Sequence, residues 1–316
     1  MISVNDLYSI LKPLHLAYSW SGFFLFPAFI CRAFFSAQFL LLKLILSNSL
    51  SILTANMDEI TLFFGGDICG AFGVDVALRT IPLLIKKEMP DFIIVNGENA
   101  ARGSGIEPEQ AARLFSAGVD VITGGNHSLE RFDLREHFGN EPRILRPANY
   151  PMAPGAGCIT VRKPHGTLTV INLQGRENMR PIDCPFQTAD RLLQDIPEGI
   201  TLVDFHAESV QEKEALAYYL DGRISCVFGS HTHTQTADER ILSNGTGYLS
   251  DAGMIGSLHS IIGSSTDAGI ARSLTLVPQT FELSETGTAL FCGIIAIISL
   301  STQRTLSLKR IYEIIE

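Results

Sequence analysis

Residues 224–238 read ISCVFGSHTHTQTAD and place two histidines directly after a short apolar run that is typical of a buried strand. His231 and His233 are two positions apart. Side chains at that spacing share one face of a strand, whereas a turn after the strand can point them at different neighbours. A hydrogen-bonded turn explains such a pair, and so does a metal site. The choice depends on which side chains follow the other predicted strands.

Four other predicted strands are followed by polar side chains in the same manner. Short β-rich runs at 60–64, 91–96, 119–123 and 201–206 predict these strands. The residues that end or follow them are all oxygen or imidazole donors, namely Asp67, Glu98, Asn99, Asn126, His127, His206 and Glu208. Divalent first-row metals bind this mixture, and no set of thiolates accompanies it. Each residue alone has an ordinary structural explanation, but five strand ends with the same chemistry favour a metal site.

Helical patterns alternate with the strands and predict the fold class. Apolar residues at helical spacing predict three helices, at 74–87, 108–117 and 210–220. Pro82 predicts a kink or a break in the first of them. Further strands are predicted at 168–173 and 247–251. This strand–helix–strand rhythm is typical of α/β folds, in which ligands bind beyond the carboxyl ends of the strands.

Residues 1–56 form an apolar extension that differs from the domain predicted over 57–316. The stretch 22–53 is rich in Phe and Leu, but Pro27, Arg32 and Lys43 interrupt it. A membrane span needs about 20 mostly apolar residues. We therefore favour a mis-set start codon or a dispensable extension, and a membrane anchor is the alternative. The C-terminal run 289–300 is also short for a span, and it favours a hairpin of core strands.

Composition and charge restrict the class of protein. The chain has 316 residues, 46% of them hydrophobic, and a formal net charge of −9. That charge argues against a nucleic-acid polymer as a partner, because such binding depends on Lys and Arg at phosphates. A small phosphate substrate remains compatible, since a bound metal supplies positive charge locally. The six cysteines form no CxxC pair, which suits reduced thiols in a cytoplasmic protein.

An ordered series of motifs connects the strand ends and resembles a known family. It includes NGENAARG (96–103), GGNH (124–127), INLQGR (171–176), DFHAE (204–208), the stretch 224–238 and SDAGM (250–254). From about Met57 to the C-terminus, the chain resembles the YmdB-like branch of the calcineurin-like metallophosphoesterases. The resemblance implies a layered α/β sandwich, with β-sheets flanked by helices and a metal site at the carboxyl ends of the strands. It also implies a phosphodiesterase that hydrolyses cyclic nucleotides, 2′,3′- or 3′,5′-cyclic or both.

The resemblance further implies a role for each donor. One of two divalent or mixed-valence metal ions, iron or manganese, would take Asp67, Glu98, Asn99 and His233. The other would take Glu98, Asn126, His206 and His231, so that Glu98 bridges. A hydroxide activated by both ions would attack phosphorus, and His127 would protonate the leaving oxygen as general acid.

Some features depart from the family pattern or leave alternatives open. Cys69 occupies the third position of the superfamily's D-x-H motif and is expected to pack rather than to bind metal. GGNHSLER differs from the branch's usual GNHTWD, which points to a different substrate rim. His259 lies in a segment that either covers the site or is exposed to solvent. A slow or inactive metal-binding regulatory module, tethered to a membrane through 22–53, is the alternative function, and a homo-oligomer is left open.

Overall fold

The computed structural model describes residues 58–277 and 282–316. The extension predicted over 1–56 lies outside the described residues. Within those residues, none of the helices combines the length and the apolar character that a membrane crossing requires. The elements in chain order are β1 Glu59–Cys69, α1 Gly70–Glu88, β2 Phe92–Asn99, α2 Pro108–Ser116, β3 Val121–Thr123, α3 Phe132–Asn140, β4 Cys158–Lys163, β5 Gly166–Gln174, α4 Pro185–Asp195, β6 Ile200–His206, α5 Val210–Leu220, β7 Cys226–Ser230, β8 Arg240–Ile241, β9 Gly247–Leu249, β10 Met254–Ser257, α6 Thr266–Thr275, β11 Ala289–Ser299 and β12 Thr305–Ile315.

The strands form two six-stranded sheets. The first has the order β12-β11-β10-β1-β2-β3, and the second has the order β4-β5-β6-β7-β9-β8. In the first sheet β1 runs parallel to β2 and β10, and β2 runs parallel to β3. In the second, β5, β6, β7 and β9 are parallel. Each sheet therefore has a parallel centre whose strands all end at one edge, where ligands bind in α/β folds.

Alternating side chains on the strands fill the space on both faces of each sheet. On β1, Phe63 packs with the apolar residues of α1, whereas its neighbours Leu62 and Phe64 pack between the sheets. The rings of Phe64 and Phe228 lie 5.9 Å apart in that inner layer. Val203 on β6 faces outward and packs with α5. The result is a sandwich of two sheets flanked by helices, which confirms the predicted fold class.

Helix α1 differs from its prediction. It begins at Gly70, directly after β1, and runs unbroken to Glu88 with Pro82 inside it. Of the kink or break expected at Pro82, the break does not occur. Proline removes one hydrogen bond of the helix. Val74, Ala77, Ile81 and Leu84 recur at helical spacing and are all buried in one cluster against the sheet. Their packing holds the helix together across the missing bond.

The C-terminal hairpin was predicted correctly, whereas several elements were not predicted. Strands β11 and β12 pair antiparallel from Ala289↔Ile315 to Ile298↔Thr305. Strand β11 also pairs antiparallel with β1, so the apolar run is a central strand of the first sheet. The elements not predicted from the sequence are α3, β4, α4, β8, β10 and α6.

Candidate active site

The predicted donors from both sheets meet at the carboxyl edge of the parallel strands. Asp67 lies two residues before the end of β1, Glu98 and Asn99 end β2, and Asn126 follows β3 in the first sheet. His206 ends β6 in the second sheet, while His231 and His233 follow β7. The centre of the group is His206, whose Nε2 lies 2.9 Å from Glu98 Oε1, 3.0 Å from Asn126 Oδ1 and 3.1 Å from His231 Nδ1.

Hydrogen bonds to the far side of the His206 ring determine its tautomer. The ring's Nδ1 lies 2.9 Å from Ser230 Oγ, and Ser230 Oγ donates to Asp204 Oδ1 at 2.6 Å. Because the hydroxyl hydrogen is given to Asp204, Ser230 accepts from Nδ1–H. In the neutral ring, the Nε2 of His206 then carries a lone pair, as a metal ligand must. Asn96 donates to Asp204 Oδ2 at 3.0 Å and connects this arrangement to the first sheet.

A second group of donors surrounds His233. Its Nδ1 lies 2.7 Å from the carbonyl oxygen of Ile262, and its Nε2 lies 3.2 Å from Asn99 Oδ1. A carbonyl can only accept, so Nδ1 is protonated, and in the neutral ring the lone pair is on Nε2. Asp67 Oδ2 accepts the backbone N–H of His231 at 3.1 Å. The other oxygen, Asp67 Oδ1, is buried and has no hydrogen-bond partner among the described residues.

These contacts fit a cation better than a closed hydrogen-bond network. Lone-pair atoms of Glu98, Asn126 and His231 converge on the Nε2 of His206, which can offer at most one hydrogen to three acceptors. Within the part of the chain that the structure describes, Asp67 Oδ1 is left without a hydrogen-bond partner. Glu98, His206 and His231 each offer a ligand atom, and these atoms lie within 4.8 Å of one another. Buried polar atoms without partners are costly. A group of oxygen and imidazole donors with more lone pairs than hydrogens is the composition that divalent metals bind.

The turn at His231 and His233 has unusual backbone angles and is held by a buried ion pair. His231 and His233 have φ values of 100° and 63°. Non-glycine residues rarely adopt such angles, and they cluster at functional sites. Asp251 Oδ2 accepts the N–H of Thr232 at 3.0 Å and pairs with Lys213 Nζ at 2.9 Å. The turn therefore points His231 at His206 and His233 at Asn99.

Burial and neighbouring charges shift the pKa values of the clustered groups in opposite directions. Burial raises the pKa of Asp67 to about 7. Burial also acts to raise the pKa of Glu98, but the charge of His206 outweighs it and lowers that pKa to about 2. Burial and the charge of His206 lower the pKa of His231 to about 3. Burial acts to lower the pKa of His206, but the charges of Glu98 and Asp67 outweigh it and raise that pKa to about 9. A positive charge at this ring thus balances the carboxylates, whether it is a proton on Nε2 or a cation bound there.

Gly125 has no side chain, and this lets the donors around His206 approach one another. A Cβ at this position would collide with the carboxylate of Glu98 and the ring of His206. Glycine is therefore required between the two sheets, just before Asn126.

His127 stands beside the donors and is held by a carboxylate that the sequence analysis did not identify. Its backbone N–H donates to Glu98 Oε2 at 3.1 Å, and its Nδ1 lies 2.8 Å from Glu130 Oε2. Glu130 also accepts from Ser104 Oγ at 2.8 Å and from Arg180 Nη2 at 3.3 Å. Burial acts to raise the pKa of Glu130, but these hydrogen bonds outweigh it and lower the pKa. The three-residue spacing between His127 and Glu130 was the sequence feature from which this contact could have been predicted.

Three further residues named in the sequence analysis, Cys69, His259 and Glu208, lie at different distances from the donors. Cys69 is buried, and its Sγ lies 3.5 Å from His233 Nδ1, on the side of the ring opposite Nε2. His259 is exposed. Its segment reaches the site instead through the backbone of Ile262, which accepts from His233. Glu208 Oε2 lies 3.1 Å from His231 Nε2, at the solvent side of the cluster.

Known proteins share this chain's sequence and fold over the described domain. The model of the family described as YmdB-like protein matches residues 62–311. A 2′,3′-cyclic-nucleotide 2′-phosphodiesterase of Bacillus subtilis is 40% identical over 79% of this chain and 96% of its own length. A crystallised novel phosphatase of Mycoplasma pneumoniae superposes with a TM-score of 0.77 at 28% identity, over 81% of this chain and 94% of that one. A hypothetical protein of Thermus thermophilus gives a TM-score of 0.76 at 35% identity, over 81% of this chain and 100% of that one.

Proposed function

The chain belongs to the YmdB-like family and is a phosphoric diester hydrolase, and we propose that its substrates are nucleoside 2′,3′-cyclic phosphates. The Bacillus subtilis relative is named for cleavage at the 2′ oxygen. The reaction adds water across the P–O2′ bond, so that the phosphate remains on the 3′ oxygen. The family match begins at residue 62, which supports residues 57–316 as the catalytic unit.

We assign the metal ligands as two sets that share Glu98. Asp67, Asn99 and His233 complete one set, and Asn126, His206 and His231 complete the other. The observation that carries the proposal is the convergence of three lone-pair donors on His206 Nε2. When bound, two cations supply charge that lowers the pKa of water and neutralises the phosphodiester anion. The absence of thiolates from the donor set is compatible with iron or manganese.

We propose that His127 gives a proton to the departing 2′ oxygen. An alkoxide is a poor leaving group, and a positioned acid is typically worth about 10²–10⁴ in rate. His127 lies next to Asn126 in the chain, and its backbone N–H is fixed on Glu98, so it stands at the edge of the donor cluster. Glu130 accepts from Nδ1–H and leaves Nε2 as the atom that carries the transferable proton.

A direct experiment tests the assignment. The full-length protein would be purified, its bound iron and manganese measured, and adenosine 2′,3′- and 3′,5′-cyclic phosphates assayed side by side. We expect up to two metal ions per chain, faster hydrolysis of the 2′,3′ isomer with adenosine 3′-monophosphate as product, and loss of activity after chelation. A 2′-monophosphate product, or unchanged turnover by metal-free protein, would refute the proposal. Recovery of the protein from the cytoplasmic fraction would test the proposed cytoplasmic location.

A further inference from the structure

A cavity of about 530 Å³ opens beside the donor cluster. Asn126, one of the assigned ligands, forms part of its wall. The rest of the wall is made by Leu129, Glu130, Arg135, Tyr150, Pro154 and Arg180. Its volume is within the range of about 300–1,000 Å³ that is usual for small-molecule sites. A substrate whose phosphate lies at the donors can therefore extend into this cavity.

Two flat side chains in the cavity wall are held by hydrogen bonds. Tyr150 is half-buried, and its hydroxyl donates to Gln174 Oε1 at 2.9 Å. Arg180 pairs with Glu130 at 3.3 Å, although its side chain is otherwise exposed. Tyrosine rings and guanidinium groups are the surfaces on which proteins stack nucleobases. Leu129 and Pro154 add apolar contact area.

Charge in the cavity also suits a neutral aromatic group rather than a second anion. Arg180 is paired with Glu130, and Glu130 is shared with His127. Arg135 donates to the carbonyl of Leu129 at 2.9 Å and lies over the ring of Phe132. Both guanidinium groups are therefore already engaged.

We propose that this cavity is the nucleobase subsite, in which Tyr150 and Arg180 bind the base of the substrate. This inference rests on the proposed function, because it places the phosphate of the same substrate at the donor cluster. It assigns affinity for nucleotides to segments outside the cluster, namely the start of α3 with the loop before it (129–135) and the loops at 150–154 and 180.

The test compares two substrates that share the ribose and the cyclic phosphate. One is adenosine 2′,3′-cyclic phosphate, and the other is methyl riboside 2′,3′-cyclic phosphate, which lacks the base. We expect Tyr150→Ala to raise KM for the adenosine substrate by about 10- to 100-fold, the effect of losing a stacked base. KM for the base-free substrate should change less than about twofold, since that substrate makes no stacking contact. Tyr150→Phe keeps the ring but loses the bond to Gln174, so it should raise KM for the adenosine substrate less than Tyr150→Ala does. Arg180→Ala should raise KM selectively for the adenosine substrate.

Controls and a binding measurement make the result decisive. Tyr312→Ala and Arg162→Ala remove exposed side chains on β12 and β4 and should leave both KM values unchanged. Calorimetric titration should show that Tyr150→Ala weakens binding of adenosine 3′-monophosphate but not of inorganic phosphate. Equal losses for both substrates, or no loss for either, would overturn the subsite. If wild type hydrolyses neither substrate, the proposed function fails, and the titration alone decides whether adenosine 3′-monophosphate binds through Tyr150.

Discussion

The donor cluster and the neighbouring cavity are built in different ways. The donors lie at or just beyond the ends of β1, β2, β3, β6 and β7, and Asp67 and His206 have no exposed surface. Tyr150 and Arg180 lie on loops, half-buried and exposed respectively. Parallel strands fix their carboxyl ends through the sheet, whereas loops vary in length and path. We therefore expect the strands to determine the chemistry and the loops to determine the choice of substrate.

Glu98→Gln should give the largest effect and would test whether the cluster acts as one unit. Glu98 is assigned to both ions, and its charge offsets the repulsion between them. We expect loss of metal and a fall in turnover of about 10³ or more, because bound metal contributes several kcal/mol to catalysis. Metal analysis and activity should be measured together. Asn99→Ala should lose less metal because Asn99 serves one ion and carries no charge.

The variant to compare with Glu98→Gln is Tyr150→Ala, which changes the cavity instead of the donor cluster. Tyr150→Ala should retain the metal content of wild type, since Tyr150 contacts none of the assigned ligands in the hydrogen bonds described above. If Glu98→Gln kept wild-type metal and activity, the bridging assignment would be wrong. If Tyr150→Ala lost metal, the two regions would not be separable.

His127→Ala should leave the metals in place and should slow hydrolysis according to the leaving group. Its backbone N–H keeps its bond to Glu98 in the variant, so the donors are not disturbed. Hydrolysis of the 2′,3′-cyclic nucleotide should fall by about 10²–10⁴, because the ribose oxygen needs a proton. Bis-p-nitrophenyl phosphate, whose leaving group needs none, should be affected little. The measurement is the ratio of the two rates, with metal content checked. A common slowing of both substrates would show that His127 positions the site or binds metal.

The contrast between strands and loops also explains what could be predicted from the sequence. Glu98, Asn126 and His206 were identified because each follows a recognisable strand, and the ends of parallel strands meet at one edge. Tyr150 and Arg180 follow no periodic pattern, so nothing in the sequence placed them in one cavity.

Long-range contacts were equally inaccessible. Lys213 and Asp251 form a buried pair under the histidine turn, but 38 positions separate them in the chain. Ser230 lies within the stretch 224–238, yet its bond to the His206 ring depends on Asp204 in the neighbouring strand. Helix α3 and strand β4 are made largely of half-buried or exposed residues and therefore lack a clear apolar pattern.

Ser230→Ala should have a smaller effect within the cluster and would show how far its rigidity depends on outer hydrogen bonds. The variant removes the acceptor for His206 Nδ1–H and the donor to Asp204. Loss of such a partner typically lowers metal affinity by about 10- to 100-fold. Competition with a chelator would measure this. Ser104→Ala is the matched control, because the Ser104 hydroxyl donates to Glu130 on the cavity side, away from His206. An unchanged affinity in Ser230→Ala would show that the sheets alone fix the His206 ring.

Glu130→Gln should have the smallest effect. Glu130 lies on the boundary between the donor cluster and the cavity. Glu130 contacts His127 on one side and Arg180 on the other, at 2.8 Å and 3.3 Å. Glutamine can still accept from Nδ1–H, but a neutral acceptor forms a weaker bond than a carboxylate by about 1 kcal/mol, which corresponds to about fivefold. We expect kcat for the cyclic nucleotide to fall by about that factor, with metal content and the rate with bis-p-nitrophenyl phosphate retained. Glu130→Ala should cost more, because no acceptor remains to orient His127. If Glu130→Gln changed only KM for the nucleotide, Glu130 would act through Arg180 and would belong to the cavity. If it changed only kcat, it would belong to the catalytic cluster, and the boundary between the two regions would run between Glu130 and Arg180.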